Sequence, residues 1–287
     1  MEIIKKKDYY YLKHSYRKNN KVITKDKYLG KEIPHKIEEI KKEFLKEIKK
    51  DLYLKLNKIK NNYKKEWQKY PESIKKELLI DFSVNFTYNT NAIEGSTINE
   101  FETEELIKRK ITPNKPLRDV QETINHSKTF LDMLNGKKDL SLTLILKWHN
   151  LIFQDSKQDI AGKIRDYHVK VGNYRCPDWQ DVKNLLKEFF VWYNKNKEKE
   201  HPVELAAQAH YKFVKIHPFG DGNGRITRLI TNFILYKKQF PLMVIEYKNR
   251  KQYYNALRKA DKGEEEIFVR YFIRRYITKY QKHNSES

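Results

Sequence analysis

The sequence predicts a mainly α protein: a helical body carrying a short β-hairpin flap, preceded by an N-terminal β-hairpin and one long amphipathic helix. Three observations predict it. From Ile37 onward, apolar residues recur at three- and four-residue steps, the period of a helix face. Pro71, Gly95 and Pro202 fall where those periodic runs stop or start. Strand-like runs are confined to two places, around residues 9–24 and 169–171.

Residues 8–29 read as the first hairpin. Tyr9-Tyr10-Tyr11-Leu12 is rich in strand-forming aromatics, Lys18-Asn19-Asn20 supplies the turn, and Val22-Ile23-Thr24 returns. Gly30 and Pro34 then break the chain. Ile37, Ile40, Phe44, Ile48, Leu52, Leu56, Ile59, Tyr63 and Trp67 form one stripe of a helix over about 35–69, with lysine and glutamate on its other faces. Such a stripe packs on the body or on a second subunit, so a homodimer is a candidate state. Pro71 ends it, and a second helix runs from Ser73 to about Ile93 and stops at Gly95. Asn99 precedes Glu102 by three, a capping-box start for a helix through Lys108.

A helix follows from Asp119 to Leu134, and Ser141 is the expected N-cap of another, Leu142 to Phe153. An irregular segment surrounds Gly162. Val169-Lys170-Val171-Gly172, with Pro177 just beyond, reads as a hairpin or flap. The chain is helical again after Trp179, then from Pro202 to about Ile216. A glycine-rich loop leads into a helix over about 224–238, and two more cover about 249–260 and 264–280. The expected division is an N-terminal β-hairpin (1–32), a helical accessory region (33–98), a core (99–280) and a polar tail (281–287).

With 39% hydrophobic residues the chain can bury a core. Its 60 Lys+Arg against 38 Asp+Glu leave it at +22. Residues 1–70 hold 22 basic and 10 acidic residues, so that quarter would meet an anionic partner first. No nucleic-acid motif accompanies the charge, so a basic surface is favoured over nucleic-acid binding. The single cysteine, Cys176, excludes an internal disulfide and fits a reducing, cytoplasmic setting. The start, MEIIKKKDYYY, lacks the apolar core of a secretory signal, and no apolar run of membrane-spanning length occurs, so no membrane partner is expected.

The informative stretch is Ile216-His217-Pro218-Phe219-Gly220-Asp221-Gly222-Asn223-Gly224-Arg225-Ile226-Thr227-Arg228. Its glycines let the backbone turn several N–H groups into one concavity at a helix start, where free amides and the macrodipole both favour an anion. Ile226, Leu229, Ile230, Phe233 and Ile234 mark the helix. Arg225 and Arg228 share one face at its phosphate end, two guanidinium forks suited to a polyphosphate. Asp221 offers the hard oxygen that Mg²⁺ requires, and His217 can accept a proton at neutral pH. A lone histidine before proline is ordinarily a loop residue, and a lone Gly-x-Gly is weak evidence. Here nine specified residues coincide within twelve.

His217–Arg228 resembles the signature of the Fic family at every position. The resemblance implies a Fic-type helical bundle, with the Fido domain over about 139–279, and transfer of AMP from ATP, with Mg²⁺, to a Ser, Thr or Tyr hydroxyl of a protein. The chain itself is one candidate acceptor. By the same motif, His217 is the base, Asp221 the Mg²⁺ ligand, and Asn223 with the Gly222 and Gly224 amides the α-phosphate cradle. Arg225 contacts the β-phosphate and Arg228 the γ-phosphate. Ala207, His210 and Phe213 resemble the family's lead-in, with His210 expected as a packed residue rather than a second base. Gly162-Lys163-Ile164-Arg165 and Val169–Gly172 resemble its target-docking flap.

Thr90-Asn91-Ala92-Ile93-Glu94-Gly95 places a glutamate at a helix C-terminus, where the dipole disfavours it unless a cation compensates. The segment resembles the Fic inhibitory motif of the subclass with an N-terminal inhibitory helix, which implies that Glu94 pairs with Arg228 and keeps it from the γ-phosphate. Ser96 departs from the commoner asparagine. Tyr253, Tyr254, Asn255, Ala256 and Leu257, then Ala260-Asp261, resemble the segment that contacts adenine, with Tyr254 as a nucleotide-binding candidate, packing and stacking roles both open for either tyrosine, and Asp261 in place of a frequent asparagine. The same residues would also serve removal of AMP from a protein, and a basic nucleotide-sensing module without catalysis is the third reading.

Overall fold

The computed structural model describes residues 1–18, 21–172 and 174–283. It divides into two compact units, 1–57 and 58–287, a boundary inside the long helix.

The first unit holds a three-stranded antiparallel sheet in the order β1-β2-β3: β1 (Glu2–Lys6), β2 (Tyr9–Lys18) and β3 (Lys21–Gly30). Two of these strands are the expected hairpin, whose Asn19-Asn20 turn lies outside the described residues. β1 is an addition. It pairs Ile3 with Leu12 and Lys6 with Tyr9 through a two-residue turn in which Lys7 takes φ 54°. A Lys-Asp pair there carries none of the Asn-Gly signal such turns usually show, which hid the strand. Tyr28 packs on Tyr9 and Tyr11, and a bulge at Tyr10/Tyr11 sets Gly30, at φ 110°, opposite Tyr10.

Helix α1 (Ile37–Gln68) carries the predicted stripe across the unit boundary. In the second unit its last turns are tied down by Asn62 Nδ2, which donates to the His283 carbonyl at 2.8 Å, and by Tyr63, packed edge-on against Tyr280. There follow α2 (Glu72–Ile93), α3 (Glu100–Glu104), α4 (Leu117–Asn135), α5 (Leu142–Phe153), the two-stranded flap β4 (Lys170–Val171) and β5 (Tyr174–Arg175), α6 (Trp179–Asn196), α7 (Pro202–Ile216), α8 (Asn223–Lys237), α9 (Arg250–Ala260) and α10 (Glu265–Lys279). The helix expected through Lys108 changes character part-way. After Glu104 it widens into a π-turn over Glu105–Arg109 that buries Leu106 and Ile107, and it stops at left-handed Lys110.

α8 is the axis of this unit. Ile226, Leu229, Ile230, Phe233 and Ile234 are all buried, and α8 meets α2, α4, α5 and α7. Three of its buried polar residues bond nearby: Thr227 and Thr231 hydroxyls donate one turn back, while Asn232 exchanges two hydrogen bonds with the Met243 backbone. A helix packed on all sides presents its N-terminus as a fixed floor, which is what positions the loop before it. Among the described residues, no helix is long and apolar enough to cross a membrane.

The Asn99 capping box forms in full: the side chain accepts from Glu102 N–H, and the Glu102 carboxylate accepts from Asn99 N–H, both at 2.9 Å. Replacing Asn99→Ala is expected to lower the unfolding free energy by about 1 kcal/mol, and Asn99→Gly by only a few tenths, as read from urea denaturation curves.

Candidate active site

α7 ends at His217, which takes the left-handed conformation (φ 51°, ψ 59°) because Pro218 disfavours a further helical residue before it. This turns the imidazole out of the helix. Its Nδ1 lies 3.3 Å from the Val214 carbonyl. A carbonyl can only accept, so Nδ1 carries the proton and Nε2 keeps its lone pair. Burial lowers the His217 pKa below its ordinary 6.5, opposed by the Val214 hydrogen bond and reinforced by the Arg165 charge. The ring is thus neutral at pH 7 and competent to accept a proton.

The loop beyond is held from several sides. Asn223 accepts from Phe219 N–H at 2.9 Å and donates to Phe219 C=O at 2.8 Å, closing the turn. Arg165 donates to the carbonyls of His217 (2.7 Å), Tyr167 (2.9 Å) and Pro177 (2.6 Å), and its own N–H donates to Pro218 C=O. His149 accepts from Gly162 N–H through Nδ1 and donates from Nε2 to the Asp221 carbonyl at 3.0 Å, with its ring stacked on Phe219. Burial drops its pKa to about 4, which suits this neutral bridge. Gly222 (φ 78°) begins α8, and a Cβ there would stand 2.3 Å from the Phe153 ring. Ile226 N–H is the first to bond back, to Gly222 C=O, so the N–H groups of Asn223, Gly224 and Arg225 open toward the site.

Four charges surround that opening. Burial pushes the Asp221 carboxyl up, but Arg225, the Lys157 ammonium and the Gly222 N–H outweigh it and hold it at about 2. Lys157 binds Asp221 Oδ2 directly and stands 3.6 Å from Glu122 Oε1. Arg225, buried beneath the Phe153 ring, pairs with Glu122 Oε2 and reaches Asp221 Oδ1 at 3.4 Å. Deeper in, Arg228 is 2% exposed. Its Nε donates to Thr90 Oγ1 at 2.5 Å, and its Nη2 to Thr90 C=O at 3.2 Å and Glu94 Oε1 at 2.5 Å. Burial disfavours the guanidinium charge, and Glu94 more than restores it. Glu94 reaches Arg228 by lying across Gly224, where a Cβ would stand 2.1 Å from its Oε1.

The sequence-predicted residues therefore converge: His217, Asp221, Gly222, Asn223, Gly224, Arg225 and Arg228 form one surface, with Thr90 and Glu94 brought to it by α2. Two of these side chains are engaged within the protein. Asn223 is 2% exposed, and its side chain is bonded to the Phe219 N–H and C=O. Arg225 is committed to Glu122, because an arginine this buried must have an anion beside it. His210 is packed as expected, donating to Thr231 and accepting from Tyr253. Tyr254 donates to Ile93 C=O at 3.3 Å at the end of α2, and Asp261 accepts from Tyr211. In the flap, Lys170 pairs with Arg175 and Val171 with Tyr174; Gly172 takes φ 57°, and the Val169 carbonyl accepts from Cys176 N–H at the base. Glu122, His149 and Lys157 were missed. Glu122 had a signal, a carboxylate beside Val120 and Thr123 on a buried helix face, which calls for a cation. The other two had none.

Residues 139–235 match the model of the Fic/DOC family. The chain carries a Fic domain. The protein adenylyltransferase Fic of Nematostella vectensis is 33% identical over 193 residues, 65% of this chain and 45% of that protein. Protein adenylyltransferase fic-1 of Caenorhabditis elegans is 34% identical over 206 residues, 67% of this chain and 41% of that one. The chain thus spans less than half the length of these relatives. Among solved structures, a Fic domain containing signaling protein from Bacteroides thetaiotaomicron superposes with a TM-score of 0.71 at 26% identity, over 79% of this chain and 95% of its own. A Fic-1 segment from C. elegans gives 0.70 at 27% identity, over 84% and 72%. The similarity thus extends on both sides of the matched segment of the Fic domain.

Gly222→Ala forces a Cβ into Phe153, whereas Gly263, at φ 97°, has nothing within 4 Å of a Cβ. Both substitutions strain the backbone. The expected result is that Gly222→Ala destabilises the protein by about 1–3 kcal/mol more than Gly263→Ala in urea or thermal unfolding.

Proposed function

We propose that this chain transfers AMP from ATP to a hydroxyl of a protein, and that Glu94 holds the site inhibited. The observation that carries the reading is the Glu94 carboxylate seated on Arg228 across Gly224, at the head of a helix whose first amides face the same point. A helix start with open N–H groups and a guanidinium is an anion site. Glu94 is the anion there, so a triphosphate that needs Arg228 must displace it or bind out of line.

In the productive arrangement, the acceptor hydroxyl gives its proton to His217 Nε2 as its oxygen attacks the α-phosphorus; the bond to the pyrophosphate oxygen breaks, and pyrophosphate leaves with the electron pair. The N–H groups of Asn223, Gly224 and Arg225 would stabilise charge on the α-phosphate oxygens. Arg228, once released, would hold the γ-phosphate, and Arg225 lies one turn from it on the phosphate side. Asp221 is held ionised and is half-open to solvent, the donor that a nucleotide-bound Mg²⁺ takes from a protein, with phosphate oxygens completing its shell. Bound there, the ion would neutralise charge developing on the leaving phosphates. The exposed flap edge at Val171 would hold the acceptor segment by main-chain hydrogen bonds. The names of the curated relatives support the reaction class.

Intact-mass analysis after incubation with ATP and Mg²⁺, alone and with candidate acceptor proteins, tests the reading. Glu94→Gly should add AMP on the order of 10²-fold faster than wild type, the penalty expected for a misaligned phosphate. Adding His217→Ala to Glu94→Gly should reduce the rate about 10²–10⁴-fold. Equal rates for wild type and Glu94→Gly would remove the inhibitory role; an unchanged rate in the double variant would remove His217 as base.

The pH profile carries a sign. His217 works when neutral, and burial lowers its pKa, so activity of Glu94→Gly should persist below pH 6.5 before falling with further acid. An acid limb centred above pH 6.5 would contradict this.

A further inference from the structure

Lys157 belongs to no part of the glycine loop, yet it is the closest cation to Asp221. Its backbone is fixed on both sides. Lys157 N–H donates to Phe153 C=O at 2.8 Å, and its carbonyl accepts from Ala161 N–H at 3.0 Å. The neighbouring Ser156 hydroxyl donates to Glu122 Oε1, and Asp155 accepts from Asn125, pinning the turn to α4. The ammonium is therefore delivered to Asp221 by design of the turn, and it spans Asp221 Oδ2, Glu122 Oε1 and the face of Phe153.

The oxygens of Asp221 are not equivalent. Oδ1 is committed within the loop, accepting from Gly222 N–H and Arg225, while Oδ2 is held by Lys157 alone among the described residues. A metal ion coming to this carboxylate must take Oδ2 from the ammonium. The cluster is already neutral, two carboxylates against two cations. A bare divalent ion would add two positive charges beside Lys157 and Arg225, with nothing to offset them. A metal–triphosphate complex is net anionic and brings oxygens to which a flexible lysine can swing.

We infer that Lys157 is the resident counter-ion of the Asp221 carboxylate and makes divalent-metal binding there conditional on the nucleotide's phosphates. Metal alone is excluded, and the metal–nucleotide complex enters as a unit while Lys157 transfers from Asp221 to a phosphate oxygen. This rests on the reading of Asp221 as the metal ligand.

The test is Mn²⁺ binding to the full chain, followed by the loss of the free-ion electron paramagnetic resonance signal, with and without ADP. In the absence of ADP, Lys157→Met should bind Mn²⁺ about tenfold more tightly than wild type, and Lys157→Gln should do the same if the methionine variant does not fold. Lys157→Arg, which keeps the charge, should behave as wild type. The factor by which ADP strengthens Mn²⁺ binding should shrink in the neutral variants, by the same tenfold. Neutral variants that bind Mn²⁺ no tighter than wild type overturn the proposal. If Asp221→Asn, added to Lys157→Met, leaves the gained binding intact, the metal is not on Asp221, and the transferase reading of that residue fails instead.

Discussion

A guanidinium buried at the start of a helix must be paired, and at Arg228 that requirement organises the site. Its partners, the Thr90 hydroxyl, the Thr90 carbonyl and the Glu94 carboxylate, all come from the last turn of α2. The pairing brings a segment over a hundred residues upstream onto the first turn of α8. It also settles a local conflict. Glu94 follows the C-terminal end of α2, where the helix dipole opposes its charge, and gains there a cation and the positive end of α8. Gly224 makes the meeting possible, since any side chain at that position would occupy the carboxylate's path. Glu94 thus holds its charge on Arg228 beside the first turn of α8, the place the proposed reading gives to a phosphate. Inhibition of the proposed kind then needs no separate conformation; one anion excludes another.

The second cluster follows the same rule with the signs exchanged. Arg225 is held by Glu122, and Asp221 by Lys157, so the groups that would meet a polyphosphate and its metal are already matched to protein counter-ions. The arrangement is stiff. Asn223, Arg165 and His149 bind the loop backbone from three directions, and Phe153 fills the space that Gly222 leaves. Such a site avoids most reorganisation of its dipoles when a charged ligand arrives, but it asks the ligand to replace existing ion pairs. A nucleotide carrying its own cation can do so for Asp221 and Arg228 together, exchanging each pair for one of the same sign.

What could be read in the sequence was what lies close together along it. The loop from His217 to Arg228 carries a base, an acid, amides and two arginines within twelve residues, and the apolar stripe after it identifies the helix that supports them. Glu94 was legible through the resemblance of Thr90–Gly95 to the inhibitory motif; its place after a helix end, where solvent usually suffices, is only consistent with a distant cation. The residues that lock the loop were harder. Lys157 follows α5 in an irregular turn where a lysine is unremarkable, and His149 sits on an apolar helix face beside Trp148 and Ile152, where it reads as core. Their significance exists only once α5 is laid against the loop. Asn223 shows the opposite limit. Its place in the motif was plain, but whether its amide turned to the ligand or to Phe219 depended on the closure of the turn. β1 escaped because Lys7-Asp8 makes a tight turn without the glycine or asparagine that marks such turns.

Arg165 links the two halves of the proposed reaction. Its three side-chain hydrogen bonds join the carbonyl of His217 to those of Tyr167 and Pro177, at the two ends of the flap segment. An acceptor segment laid on the flap edge would therefore be registered against the imidazole through a single buried guanidinium, just as the proposed donor would be registered against the loop through Arg228. His217 is in a left-handed conformation that a non-glycine residue adopts at some cost, and the bonds from Arg165 to its carbonyl and to Pro218 are what hold it there. On the proposed reading, distance between acceptor and base would be a property of the scaffold, while access to the donor would be a property of one glutamate. Such a separation would let the proposed inhibition act on the nucleotide alone and leave the geometry around His217 intact.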